Sequence, residues 1–279
     1  MPRRSGSLTE TSDKTLTVTI LGCGSSGGVP RPGSGWGACD PAEPKNRRRR
    51  CSILVVRSGP GGTTSLIVDS SPDLREQLLG AQVTRLDAVL FTHDHADHTH
   101  GIDDIRSLVL HMRRRVPVYA DARTEASLTS RFAYIFRTPS GSYYPPILEM
   151  HALTAGLPLH IEGLGGSIPV LPFNVEHGPH YEALGFRFGD LAYLPDVSLL
   201  PPDAAATLSD LLILDCLREA PHPSHFHLDQ SLATIAALKP RRAVLTNLHN
   251  DLDYARLSSR VPAGIDVAFD GMTIATKLG

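Results

Sequence analysis

Cysteine is scarce in this 279-residue chain, with four residues and no Cys-x-x-C pair. So few thiols cannot staple a chain of this length, which excludes a disulfide scaffold and points to a reducing compartment. An excess of one charge is also missing. The 27 Lys and Arg stand against 29 Asp and Glu, a net charge of −2, which excludes a globally basic nucleic-acid coat and a polyanionic tail. Long apolar runs are absent too: stretches such as 211–214 fall far short of the roughly 20 residues that cross a bilayer. Arg3 and Arg4 have no apolar segment behind them, so no secretion signal is expected. What is present is a 41% apolar composition, enough to build a core without staples. The expectation is a soluble, cytoplasmic protein, with residues 1–13 a flexible polar tail and 14–279 one folded domain.

Period-2, β-rich patterning predicts strands over 15–21, 51–57, 64–69, 88–92, 116–119, 167–175, 184–188, 191–194, 211–214 and 243–246. Helices are expected over 72–79, 124–136 and 228–239, and a last hairpin, 266–269 with 272–276, around Asp270-Gly271. Strands and helices interleave with no linker and no internal repeat. That is the pattern of a single α/β domain.

The strongest chemical signal is Thr92-His93-Asp94-His95-Ala96-Asp97-His98, directly behind a buried strand. Imidazole and carboxylate are good ligands for zinc, manganese or iron, and a loop can curl several of them around one centre. Four such side chains exceed what one open tetrahedral site needs, so a second metal is the natural reading. A lone histidine would more simply be a solvated or hydrogen-bonded residue. This spacing after an apolar strand is not that case.

The loop resembles the His-x-His-x-Asp-His hallmark of the metallo-β-lactamase-fold hydrolases, and later motifs follow in order along nearly the whole chain. The resemblance implies an αβ/βα sandwich of two mixed sheets with outer helices. It implies His93, His95 and His177 on one metal, Asp97, His98 and His249 on the other, and Asp196 bridging them. Asp69, ending Leu66-Ile67-Val68-Asp69, matches a carboxylate that orients the metal loop from behind. The implied cofactors are two divalent ions, Zn2+ or Mn2+, with a hydroxide held between them as nucleophile.

Three further segments, 22–30, 69–75 and 101–106, resemble the phosphodiesterase branch, which includes ribonuclease Z and the cyclic phosphoribosyl phosphodiesterase of phosphonate breakdown. The implied substrate is a small cyclic or nucleotide-like phosphodiester. Asp97 and a general acid, His227, are the implied catalytic residues, with His225 as the alternative acid. Ser25, Ser26, His225 and Asn247 are the implied substrate contacts, and a homodimer is implied by the relatives alone. The long Gly/Pro-rich arm by which ribonuclease Z grips transfer RNA has no counterpart, so no stable nucleic-acid complex and no membrane partner are expected. Of the cysteine cluster that holds a structural zinc in the phosphonate enzyme, 33–40 keeps only Cys39. The Gly-rich loop 22–28 lacks the Lys of a P-loop and reads equally as phosphate cradle or tight turn. Basic runs at 47–50 and 113–115 read first as solvated surface. Two other functions stay open: a thioester or lactone hydrolase on the same fold, and a nucleotide-binding accessory protein with little turnover.

Overall fold

Along β1 (Thr15–Gly22), Leu16, Val18 and Ile20 are buried and alternate with threonines, so one face of the strand is committed to a core. The computed structural model describes residues 15–208 and 210–278; the expected tail over 1–13 lies outside them. The same alternation recurs in β2 (Ser52–Gly59), β3 (Gly62–Val68) and β4 (Ala88–Leu90), where Ile53, Val55, Leu66, Val68 and Leu90 point inward while Leu54, Ile67 and Val89 point outward. With β5 (Val116–Ala120), β6 (Leu148–Ala152) and β14 (Thr273–Lys277) they form a seven-stranded sheet in the order β14-β1-β2-β3-β4-β5-β6.

The second sheet uses β7 (Leu159–Ile161), β8 (Ile168–Glu176), β9 (Glu182–Phe188), β10 (Leu191–Leu194), β11 (Leu211–Asp215), β12 (Arg242–Thr246) and β13 (Ile265–Val267). Its order is β13-β12-β11-β10-β9-β8-β7. Both sheets are mixed. Pairing is antiparallel over β14-β1-β2-β3 and β7-β8-β9-β10 and parallel over β3-β4-β5-β6 and β10-β11-β12-β13.

Three apolar layers hold this sandwich together. The middle one joins the inner faces, with Val18, Val55, Leu66, Phe186, Tyr193 and Ile213 in one cluster. Outside the first sheet, α1 (Leu74–Gly80), α2 (Ala96–Thr99), α3 (Arg106–Met112), α4 (Ala122–Arg131) and α5 (Ala133–Phe136) follow in chain order, and Leu78, Val109, Leu128 and Ile135 pack on it. Outside the second, α6 (Pro202–Thr207), α7 (Leu228–Leu238) and α8 (Tyr254–Arg260) supply Ala204, Ile235 and Leu257. The expected αβ/βα sandwich is the observed fold. Among the described residues no helix is long and apolar enough to cross a membrane.

The expected last hairpin is not formed. β13 closes the edge of the second sheet, and β14 pairs with β1 in the first. Asp270 explains the crossing: its carboxylate accepts from the backbone N–H groups of Cys23 (3.1 Å) and Arg49 (2.8 Å), tying the turn to the opposite sheet. The expected helix over 124–136 is interrupted at Phe132, whose φ of −126° leaves the helical range.

Candidate metal centre

The parallel halves of both sheets end at one rim, and there the loops collect the polar side chains. Asp69 follows β3, the His93–His98 loop follows β4, His177 follows β8, Asp196 follows β10, Asp215 ends β11, and Asn247 and His249 follow β12. Asp69 and Asn247 stand in the left-handed region, at φ 65° and 61°, which turns the chain sharply as it leaves each strand.

His93, His95 and His177 converge so that one nitrogen of each lies within 4.8 Å of the others. The rings are aimed from behind. His177 Nδ1 is 2.8 Å from the Ser224 carbonyl, which fixes Nδ1 as donor and turns Nε2 inward, 3.3 Å from His95 Nδ1. A second trio, His93, His98 and Asp196, shares His93 with the first. His98 Nδ1 lies 2.7 Å from Asp69 Oδ2, and Asp69 also accepts from the Thr92 N–H (2.8 Å) and hydroxyl (2.9 Å). His98 Nε2 then stands 3.0 Å from Asp196 Oδ2 and 3.5 Å from Asp97 Oδ2. A third trio joins His177, Asp196 and His225.

Burial and charge set the protonation states. Burial presses His93 well below the usual imidazole range, and neighbouring His98 adds to it. Burial likewise lowers His177 to about 4. At His98 burial opposes the charge, but Asp196, Asp69 and Asp97 outweigh it and hold the ring well above its usual value. Burial would raise Asp196 as well, yet His98 keeps it ionised well below the carboxylate range.

These residues fit a cation. His93 Nε2 is buried without a hydrogen-bond partner, a costly arrangement that a metal would relieve. The donor set of imidazoles and a buried carboxylate suits a divalent transition metal.

His249 and Asp97 line the same cavity, of about 280 Å³, but neither enters the trios. The Nε2 of His249 meets the Arg31 guanidinium, and its Nδ1 lies 3.2 Å from Asp251 Oδ1. Ser25, Ser26, Asn247 and His225 line the cavity too. Asn247 is 2% exposed and directs its amide N–H groups to Asp215 (3.0 Å) and Asp196 (3.3 Å). His227 is not brought there. It is the N-cap of α7, its Nδ1 2.5 Å from Gln230 Oε1 in a reciprocal capping box, and it lies outside the residues lining the cavity. His225 faces inward instead, lining the cavity with its Nδ1 2.8 Å from Asp215 Oδ2.

Asp215 went unrecognised in the sequence. Fully buried, it lies 2.8 Å from His225 Nδ1 and accepts from the Val197 N–H at 3.0 Å. Burial raises it to about 6. Burial opposes charge on His225 too, but Asp215 outweighs it and lifts the imidazole to about 9. A signal was there: Leu-Leu-Ile-Leu-Asp215 repeats the pattern of Leu-Ile-Val-Asp69, an acid closing a buried strand. Tyr181 was also missed. Its ring stacks on His95 at 4.8 Å, its hydroxyl donates to Asp94, and Arg123 covers it at 3.9 Å.

Two sheets sandwiched between helices, with a His/Asp cluster on the rim where their parallel strands end, define a metallo-hydrolase. The chain belongs to the β-lactamase superfamily: the model described as "Beta-lactamase superfamily domain" matches residues 64–247. A structure described as a new diphosphatase from the PhnP family is 36% identical, with a TM-score of 0.84 over 95% of this chain and 98% of that one. Zn(2+)-bound PqqB from Methylobacterium extorquens, at 21% identity, covers 92% of this chain and 99% of its own with a TM-score of 0.74 and shares the fold. Among curated proteins, an octanoyltransferase of Porphyromonas gingivalis is 32% identical over 264 residues, 92% of this chain. The match spans only 51% of that relative's length.

Proposed function

We propose that this hydrolase cleaves a small phosphodiester, cyclic or nucleotide-like, with two divalent ions, Zn2+ or Mn2+, bound at the rim. The observation that carries the reading is a His/Asp metal cluster beside a second pair, His225 and the buried Asp215 behind it, with His225 lining the same cavity. The likeness to the PhnP-family diphosphatase supports it.

In this reading His93, His95 and His177 would hold one ion, Asp97, His98 and His249 the other, and Asp196 would serve both. Asp69 keeps His98 oriented. His249 joins only after Arg31 leaves its Nε2. The bound ions supply Lewis acidity, activating water and neutralising charge on a phosphoryl oxygen. His225 takes the role of proton donor, in place of His227. Asp215 holds its Nδ1, so Nε2 is the atom that faces the leaving alkoxide, and the carboxylate keeps the ring charged at neutral pH. A strongly basic leaving group needs that proton. Ser25 and Ser26 contact the substrate in the same cavity.

The alternative acyl reading has the octanoyltransferase relative in its favour. The cavity opposes it: Leu217 is its one large aliphatic lining residue among the described ones, which gives an acyl chain nothing to pack on. The decisive experiment is metal analysis followed by a panel of diesters, monoesters and thioesters. Close to two ions per chain and fastest turnover of diesters are expected. Protein that holds no zinc or manganese, or that hydrolyses thioesters fastest, overturns the proposal.

A further inference from the structure

The basic run 47–50 reads as solvated surface, yet one of its members is turned inside. Arg48, just ahead of β2, is 2% exposed, and among the described residues no other Arg or Lys is buried. No carboxylate of those residues pairs with it, whereas Arg49 and Arg50 beside it pair with Asp270 and Asp73. Burying an uncompensated guanidinium is costly, so it persists only where its donors are well used.

Those donors go to the turn that carries His249. Nη1 donates to the His249 carbonyl at 3.1 Å, and Nη2 to the Leu252 carbonyl at 2.7 Å. Nη2 also reaches Asn46 Oδ1 at 3.3 Å, and Asn46 Oδ1 in turn accepts the Tyr254 N–H at 2.8 Å. One planar fork thus spans the chain from His249 to the start of α8, a reach that the point charge of a Lys lacks. The arginine is itself held fast. Its N–H and carbonyl exchange two bonds of 2.9 Å with Val29, and Gly24 lies so close that an added Cβ would come 2.9 Å from Arg48 Cβ. The segment around Gly24 grips the other side of the histidine, where the Leu248 N–H donates to the Cys23 carbonyl at 2.7 Å.

His98 and His177 are aimed through their rings, by Asp69 and the Ser224 carbonyl. His249 has Asp251 at its Nδ1, and its backbone is gripped as well. We propose that Arg48 is a positioning residue for the second metal: it fixes the turn so that the His249 imidazole is presented to the ion it would share with Asp97 and His98. The proposal rests on the two-ion reading for its consequence and adds the residue that supports that ligand.

The test is calorimetric titration of the metal-free protein with Mn2+, which reads each binding step apart from turnover. Wild type is expected to show two steps. Arg48→Met keeps the length of the side chain and removes every donor; it should leave the first step in place and weaken the second about 10- to 100-fold. Arg48→Lys, which keeps the charge but not the fork, should recover part of the loss. Should Arg48→Met not fold, Arg48→Lys is read by the same criterion. Hydrogen exchange of the metal-free proteins gives a second readout. The Leu252 N–H, which donates to the His249 carbonyl at 3.2 Å, should exchange faster in the variants, while the amides of 93–98 do not. Equal weakening of both steps, or an unchanged second step, overturns the proposal. If wild type binds a single ion, the two-ion reading fails and exchange decides: faster exchange confined to 248–254 keeps Arg48 as the support of His249, and unchanged exchange removes it.

Discussion

Asp69 and His98 are locked together at 2.7 Å, and neither side chain reaches solvent. The pair fixes which imidazole nitrogen is turned toward Asp196. Asp69→Ala should therefore weaken metal binding about 10- to 100-fold. It should also destabilise the metal-free protein by about 3–5 kcal/mol, since it strands a buried partner. Chelator competition and urea unfolding measure the two; an unchanged metal affinity would show that Asp69 orients nothing.

His225 and His227 lie two residues apart and are expected to behave differently. His225→Ala should slow diesters with poor alkoxide leaving groups by about 10²-fold or more and spare an activated aryl diester. His227→Ala should leave turnover intact and cost about 1 kcal/mol of stability as a lost helix cap. A leaving-group-dependent defect in His227→Ala would return the acid role to that residue.

Tyr181 reaches His95 through its ring and His177 through its backbone, whose carbonyl accepts the His177 N–H at 2.8 Å. Tyr181→Leu should lower metal affinity by removing the stacked face. Tyr181→Phe, which keeps the ring and gives up the bond to Asp94, should retain most of it. Equal losses in both variants would assign the effect to the hydroxyl.

The chelated protein should lose stability in a window set by His177. Its folded value of about 4 lies below the usual 6.5, so the unfolded chain takes up the proton first. The His177 contribution should be lost as pH drops from 6.5 toward 4 and change no further below. His225, raised to about 9, has the opposite sign: its contribution is complete below 6.5 and is lost as pH rises through 9. Melts of His177→Gln and His225→Gln against wild type should each lack one of these slopes.

Much of this was legible in the sequence because strand periodicity and metal-ligand spacing are local. Val18, Ile20, Val55 and Leu66 declare their face by alternation, and His93 to His98 sit within one turn of chain. What escaped depends on distant contacts. β6 and β7 are short edge strands with little alternation, and the turn at Asp270-Gly271 looks like a hairpin until Cys23 and Arg49 take its carboxylate. Asp215 and Arg31 acquire meaning only from His225 and His249, neighbours that no spacing rule connects to them.

The crossing of β14 to β1 also orders events during synthesis. Thr15 pairs with Lys277, and Thr19 with Thr273, so the strand made early in the fold waits for one made after the whole second sheet. Until then β1 presents a bare row of backbone donors and acceptors, open to another chain. A ribosome stalled shortly before residue 273 would thus hold the two-sheet sandwich with one side unzipped.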